Sequence, residues 1–281
     1  MNLEKASILA ALLTVVTVGP LPALATSGIS GANLSVTNTE TVPTLAMEFE
    51  PFFALAYELG AYNDSWSRQG QDGRTQNLTT GYRFTLGVAN GLEAGLVTPI
   101  VLASHWGSDD VKLSGAGIGD IALGAKWRFV EGDKWSLAWH GGLSLPTGDS
   151  RPGPMELATG SGASAVVTGL VTHFQLAADF SLDMNLQATM AEPILDGAER
   201  GWSIDFGVAL AHTIGPWRLI AELTQNHSGW KEYEASSFTA TTGFTYTVNE
   251  RVIIVTGPFW DFAGRNSSHA LGHSLAFTIL L

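Results

Sequence analysis

Between Ile118 and Phe129 the chain changes character at every residue: Asp120, Ala122, Gly124, Lys126 and Arg128 are polar or small, and Gly119, Ile121, Leu123, Ala125, Trp127 and Phe129 fall between them. Successive side chains of an extended chain point to opposite faces, so the stretch reads as one two-faced strand. A polar turn follows at Glu131, Gly132, Asp133 and Lys134. A second strand then sets Trp135, Leu137, Trp139, Leu143 and Leu145 against Ser136, Ala138, His140, Gly142 and Ser144. Gly115 to Asp149 is therefore an amphipathic hairpin that leaves through Leu145-Pro146-Thr147-Gly148-Asp149 into a long polar loop. Its apolar face has to be covered, either by a protein core or by lipid.

The rest of the chain repeats this unit. Before it, Leu45, Met47, Phe49, Phe53, Leu55, Tyr57 and Leu59 oppose Glu48, Glu50 and Glu58, with Pro51 placed at a bulge or an edge. Leu78 to Val88 alternates with Thr79, Gly81, Arg83 and Thr85, turns at Asn90-Gly91, and is answered by Leu92, Ala94, Leu96, Ile100 and Leu102 opposite Glu93. After it come strands at about Ser164 to Leu176 and Phe180 to Met190, the latter with Asp183 on its polar side. Trp202 to Leu210 carries Asp205 inward, and a turn at Gly215-Pro216 leads to Trp217, Leu219 and Leu223 opposite Arg218 and Glu222. Phe238 to Val248 turns at Asn249-Glu250 into Val252 to Trp260, whose facing the sequence leaves open and where Gly257-Pro258 suggests a bulge. Leu271, Leu275, Phe277, Ile279 and Leu281 share one face of the last strand.

Long polar loops are expected at Asn63 to Arg74, Trp106 to Ser114, Pro146 to Gly162, Glu192 to Arg200, His227 to Ser236 and Asp261 to Ser268. They alternate with short turns. The expectation is an all-β chain, an up-and-down antiparallel transmembrane β-barrel of about twelve strands of roughly ten residues each.

Alternation alone also fits a soluble sandwich, so the decision rests on the polar face. That face is mostly Gly, Ser, Thr, Ala and Asn, and only 14% of the chain is charged, against roughly 25% for a soluble domain. A water-facing exterior would carry dense Lys and Glu, whereas a lumen can be lined by small residues and a few charges. Trp127, Phe129, Trp135, Trp217 and Tyr246 gather beside the short turns, as in an interfacial belt. The chain has no cysteine, which removes disulfides and thiolate metal sites. A net charge of −12 argues against a nucleic-acid partner.

Lys5, the apolar run Ile8 to Val18 and the small residues Ala23-Leu24-Ala25 read as a cleavable signal peptide over residues 1–25. This points to export and residence in the outer membrane of a Gram-negative bacterium. Residues 26–42 are a polar segment, either a periplasmic lead-in or a piece of chain tucked into the lumen; residues 43–281 form the barrel.

Gly117-Ile118-Gly119-Asp120, Leu123-Gly124-Ala125-Lys126-Trp127-Arg128-Phe129 and Leu145-Pro146-Thr147-Gly148-Asp149 resemble the paired signatures of the outer-membrane transporter family named after the meta pathway of phenol degradation. Asn90-Gly91-Leu92-Glu93 with Gly95-Leu96 and Pro99 is similar to the strand that precedes them. The resemblance implies a barrel that passes small aromatic or hydrophobic compounds. The last strand resembles the recognition signal read by the barrel-assembly machinery, with Leu281 where an aromatic is usual.

The inward charges Glu48, Glu50, Glu58, Arg83, Glu93, Asp120, Lys126, Arg128, Asp183, Asp205, Arg218 and Glu222, with His140, are the expected pore-lining set. They either select permeants by charge or pair with one another and fill the interior. About twelve strands gives a narrow, partly obstructed bore. The rival readings are a barrel without conductance and an outer-membrane hydrolase. For the hydrolase, His105, His140, His173, His212, His227 and His269 are too scattered to suggest a triad, and no metal or other cofactor is expected. The expected partners are outer-membrane lipid and lipopolysaccharide, the assembly machinery and a small-molecule permeant. Asp109, Asp110, Glu232 and Glu234 in the loops read by default as solvated surface, with divalent ions shared with lipopolysaccharide as the alternative.

Overall fold

The computed structural model describes residues 34–107, 112–153, 155–194, 201–230 and 233–281. The expected signal peptide, the start of the 26–42 segment, and Asp109, Asp110 and Glu232 lie outside the described residues. The strands are β1 (Met47–Tyr62), β2 (Arg68–Ala89), β3 (Leu92–Trp106), β4 (Lys112–Ile118), β5 (Ile121–Glu131), β6 (Trp135–Leu145), β7 (Ala163–Gln175), β8 (Phe180–Pro193), β9 (Gly201–Ile214), β10 (Trp217–Trp230), β11 (Tyr233–Asn249), β12 (Val252–Arg265) and β13 (Ser267–Leu280). All pair antiparallel, and β13 returns to β1, with Glu48 opposite Leu280 and Tyr62 opposite Ser267. Closure leaves no open row of main-chain donors for lipid to meet.

The strand expected to run unbroken from Ile118 to Phe129 is two pieces. β4 and β5 both lie against β3 and share one place in the wall, so thirteen strands build a twelve-strand barrel. Ile100 faces Ile118 but Val97 faces Ala122, a slip of one residue beside Pro99. Proline brings no N–H to a ladder, and the extra residue leaves Gly119-Asp120 between the two ladders, with Gly119 N–H donating to the Pro99 carbonyl (2.9 Å).

Three of the expected loops are mostly strand. β10 and β11 stay paired out to Trp230 opposite Tyr233, Asn63 to Ser67 is all that joins β1 to β2, and only Asn266, at φ 48°, separates β12 from β13. The ladder is made of main-chain groups and continues past the lipid, where both faces are wet and alternation is lost. β3 likewise reaches Trp106 and β4 starts at Lys112, which shortens the loop expected there. The connection from Pro146 to Gly162 remains long.

The turns on the side where β1 begins and β13 ends follow the sequence. Gly91 and Gly215 take φ of 71° and 58°, and Asn249 Oδ1 accepts the N–H groups of Arg251 (2.9 Å) and Val252 (3.0 Å). By the topology of such barrels this is the periplasmic end. Pro51 sits at neither a bulge nor an edge. It lies inside the closed wall opposite Tyr82, where the β1–β13 ladder passes from Phe49–Ile279 to Phe52–Ala276 with its register intact. Nor do Gly257 and Pro258 form a bulge against β13, since pairing runs in one register from Val252–Ile279 to Trp260–Leu271. Val255 and Phe259 face inward and Trp260 outward.

Exposure separates the two faces of the wall. On β2, Tyr82 is 46% exposed and Leu86 47%, while Thr79, Arg83 and Thr85 are at most 3% exposed. A second aromatic girdle, beyond the one expected, collects Trp66, Trp106, Trp202, Trp260 and Phe262 toward the extracellular ends, with Trp66 and Phe262 each in contact with Phe238. The inside is not uniformly polar. Leu34 and Val36 pack with Phe52, Val97, Ile220 and Val255 in a small buried cluster within the barrel.

Candidate functional site

Leu34 and Val36 belong to a segment that precedes the wall and crosses its interior, so residues 34–42 of the polar amino-terminal stretch lie in the lumen. At the periplasmic rim Leu45 N–H donates to the Gly87 carbonyl (2.8 Å) and Gly87 N–H to that of Ala46 (3.0 Å). Farther in, Val42 N–H donates to Glu93 Oε2 on β3 (2.8 Å) and Thr39 Oγ1 meets Ser136 Oγ on β6 (2.5 Å). At the far wall Leu34 and Ser35 donate their N–H groups to the two oxygens of Glu222 on β10, each at 2.7 Å, and the Ser35 hydroxyl donates to Glu222 as well. The segment is a strap tied at both ends to carboxylates of the wall.

The wall is shaped for it. A Cβ on Gly87 would stand 1.9 Å from the Pro43 carbonyl oxygen, one on Gly207 2.9 Å from Val36 Cγ2, and one on Gly243 or Gly257 3.0 Å from Leu34 Cδ1. Only at Gly87 is the strap the first thing an added Cβ would meet; at Gly207 it would first meet Asn185 Oδ1, and at Gly243 and Gly257 the Thr256 and Thr242 carbonyls of the neighbouring strand, each at 2.2 Å, with the strap close behind. Leu34, Val36, Asn38, Thr39 and Val42 are all buried there.

Half of the twelve expected inward charges are drawn into ion pairs at the level of the strap. Arg83 Nη1 lies 3.0 Å from Glu50 Oε1, within ion-pair distance though not aligned as a hydrogen bond. Lys126 Nζ lies 3.4 Å from Glu93 Oε1, and both side chains are fully buried. Asp183 is shared by Arg218 Nη2 (3.1 Å) and His173 Nδ1 (2.8 Å). Arg128 pairs with Glu131 at the periplasmic rim (3.2 Å). Glu48 lies two residues before Glu50 on the inward row of β1, and His140 is fully buried, its two ring nitrogens without hydrogen-bond partners among the described residues.

The remaining expected residues lie higher. Glu58 accepts from Asn77 Nδ2 at 3.5 Å. Asp205 accepts from Asn226 Nδ2 (2.5 Å), Ser203 Oγ (3.2 Å) and Gln187 Nε2 (3.5 Å). Asp120 turns to the long loop: Gly148 N–H donates to Oδ1 (3.1 Å), and Ser161 donates its N–H (2.7 Å) and hydroxyl (2.6 Å) to Oδ2. Thr147 Oγ1 donates to the Gly119 carbonyl (2.8 Å) and accepts Ile121 N–H (2.9 Å). The two sequence patches around Asp120 and Thr147 are thus halves of one joint, which fills the break between β4 and β5.

Sequence reasoning missed the strap residues, Asp261, and the luminal apolar residues Phe52, Val97 and Ile220. The alternation Leu34-Ser35-Val36-Thr37 was the one available hint of the strap. His105, His227 and His269, expected in or beside loops, lie in β3, β10 and β13. His227 Nδ1 meets Ser236 Oγ at 2.8 Å, with no carboxylate hydrogen-bonded to the ring among the described residues. No three of His, Asp and Glu come together as a metal-holding group among the described residues.

Residues 37–277 match the family described as "Putative MetA-pathway of phenol degradation". The fold is similar to that of the COG4313 outer membrane channel from Pseudomonas putida F1, with a TM-score of 0.76, 14% identity and coverage of 89% of this chain and 100% of that one. It is also similar to the β domain of the Bordetella autotransporter BrkA, with a TM-score of 0.55, 10% identity and coverage of 84% and 99%. No curated protein sequence matches the chain.

Proposed function

Because the chain belongs to the family of the MetA-pathway of phenol degradation, we propose that it is an outer-membrane channel for passive passage of small solutes, aromatic and hydrophobic compounds among them. One observation carries this reading. The bore is filled at its periplasmic half by a strap held through a few hydrogen bonds, and the wall leaves room for it at Gly87, where an added Cβ would stand 1.9 Å from the Pro43 carbonyl oxygen. A barrel serving only as scaffold could fill its bore with side chains of the wall itself, as smaller barrels do. A strap is an occupant that can shift while the wall stays closed.

The same reading places the protein in contact with outer-membrane lipid and lipopolysaccharide, with assembly through the barrel-assembly machinery. Hydrolysis has less support, since the one close serine–histidine pair, Ser236 and His227, lacks an orienting carboxylate on the imidazole among the described residues. Purified protein in planar bilayers tests the proposal. Discrete conductance steps that change with Arg83→Ala or Glu222→Ala support a channel. A silent barrel supports the scaffold, and ester or lipid hydrolysis lost with Ser236→Ala would favour the enzyme.

A further inference from the structure

The inward charges are not spread evenly along the bore. Within β7 to β12 the arginines and lysines of the described residues are Arg218 and Arg265, at opposite ends of the bore, beside the histidines His173, His212 and His227. Arg218 sits near the periplasmic turn and is engaged by Asp183. Between them the wall carries Asp205 on β9 and Asp261 on β12, both in the extracellular half, and among the described residues neither carboxylate has a cation as a hydrogen-bond partner.

Asp205 is surrounded by the donors of Asn226, Ser203 and Gln187, and Asp261 by Thr239 Oγ1 (2.5 Å) and Ala270 N–H (3.1 Å). Neutral donors fix a carboxylate without cancelling its charge, so the field of each extends into the bore. Independent of these acids, two buried acceptors on the same side of the wall have no hydrogen-bond partner among the described residues: Asn185 Oδ1 on β8 and Thr241 Oγ1 on β11. Asn185 is 9% exposed, and its Oδ1 comes within 2.2 Å of where a Cβ on Gly207 would stand, one inward position below Asp205. The wall from β8 to β12 offers a descending series of oxygen acceptors from the extracellular half to the strap.

We propose that the β8 to β12 side of the wall makes the channel select for cations, with Asp205 and Asp261 as the specificity-determining residues and small inorganic cations and protonated amines as the permeants it favours. The inference rests on the passage reading and names the charge class of what passes. Rings and rows of carboxylates select cations in channels because they replace part of the lost hydration and repel anions. The ion pairs at strap level do not undo this, since they neutralise one another in place.

The test is the reversal potential of the purified wild-type protein in planar bilayers under a potassium chloride gradient, repeated with choline chloride. A several-fold preference for potassium over chloride, kept in sign with choline, is the expected result. In the double variant Asp205→Asn with Asp261→Asn the ratio falls toward unity while single-channel steps persist. Conducting wild-type channels with no preference, or with a preference for chloride, overturn the inference and leave passage standing. A barrel without steps overturns passage itself and this inference with it. The wild-type measurement decides the charge preference; a ratio unchanged in the conducting double variant overturns the assignment to Asp205 and Asp261, and the single variants Asp205→Asn and Asp261→Asn decide it if the double variant fails to fold.

Discussion

Glu222 on β10 holds the main chain of Leu34 across 188 residues, its Oε1 accepting the Leu34 N–H at 2.7 Å while Oε2 takes that of Ser35. A hydrogen bond to a charged group contributes about 1.5–3 kcal/mol net. Glu222→Ala is therefore expected to loosen the strap by about that much for each lost bond, and to enlarge single-channel steps. Deletion of residues 34–42 should enlarge them further. Steps of wild-type size in both variants, with the barrel still folded, would mean the strap does not limit passage.

Lys126 and Glu93 are buried together with no exposed side-chain surface. Lys126→Met leaves Glu93 as a buried carboxylate whose cation is gone, a change that typically costs about 3–5 kcal/mol. The double variant with Glu93→Gln should recover part of the loss. Urea unfolding in detergent or lipid reads both. A single variant as stable as wild type would show that solvent reaches Glu93.

Asp120 joins the long loop to the break in the wall through Gly148 and Ser161. Asp120→Ala should leave the barrel folded but open the loop to proteolysis between Pro146 and Gly162, whereas Asp120→Asn should give partial protection by keeping an acceptor for one of the donors. The check is limited proteolysis with mass analysis of the fragments. Equal protection in wild type and Asp120→Ala would place the anchoring elsewhere.

Leu223 is 47% exposed on the outer face of β10, and Thr224 beside it faces the bore. Arginine on the lipid face near the bilayer midplane costs about 2–4 kcal/mol. Leu223→Arg should therefore lower folding stability in lipid vesicles by an amount of that order, and Thr224→Arg by much less. Equal losses at the two positions would contradict the assignment of the faces.

How much of this was readable in advance varies with the kind of force involved. Wherever lipid touches the wall, a side chain on the wrong face costs enough to write itself into the residue pattern, as at Tyr82, Arg83 and Phe84. Beyond the lipid that constraint lapses, so the paired strand around His227 and Ser236 looked like a loop. The Asp120–Thr147 joint was visible as two patches of family resemblance, but nothing in their spacing said that they meet. His140 and Asp183 were found on the inward row because alternation fixes parity. Their partners depend on register, which alternation leaves free by steps of two residues.

The period-two pattern, the scarcity of charge and the turn residues determined by themselves that this chain is a lipid-facing antiparallel barrel of about twelve strands, because solvation acts on each residue according to its own face. Only the tertiary structure decided that one wall strand is broken beside Pro99, that the amino-terminal segment lies across the bore, and that Glu222 and Glu93 hold it there. Those contacts join residues far apart in the chain through main-chain groups and the space left by missing side chains, and neither leaves a periodic trace in the sequence.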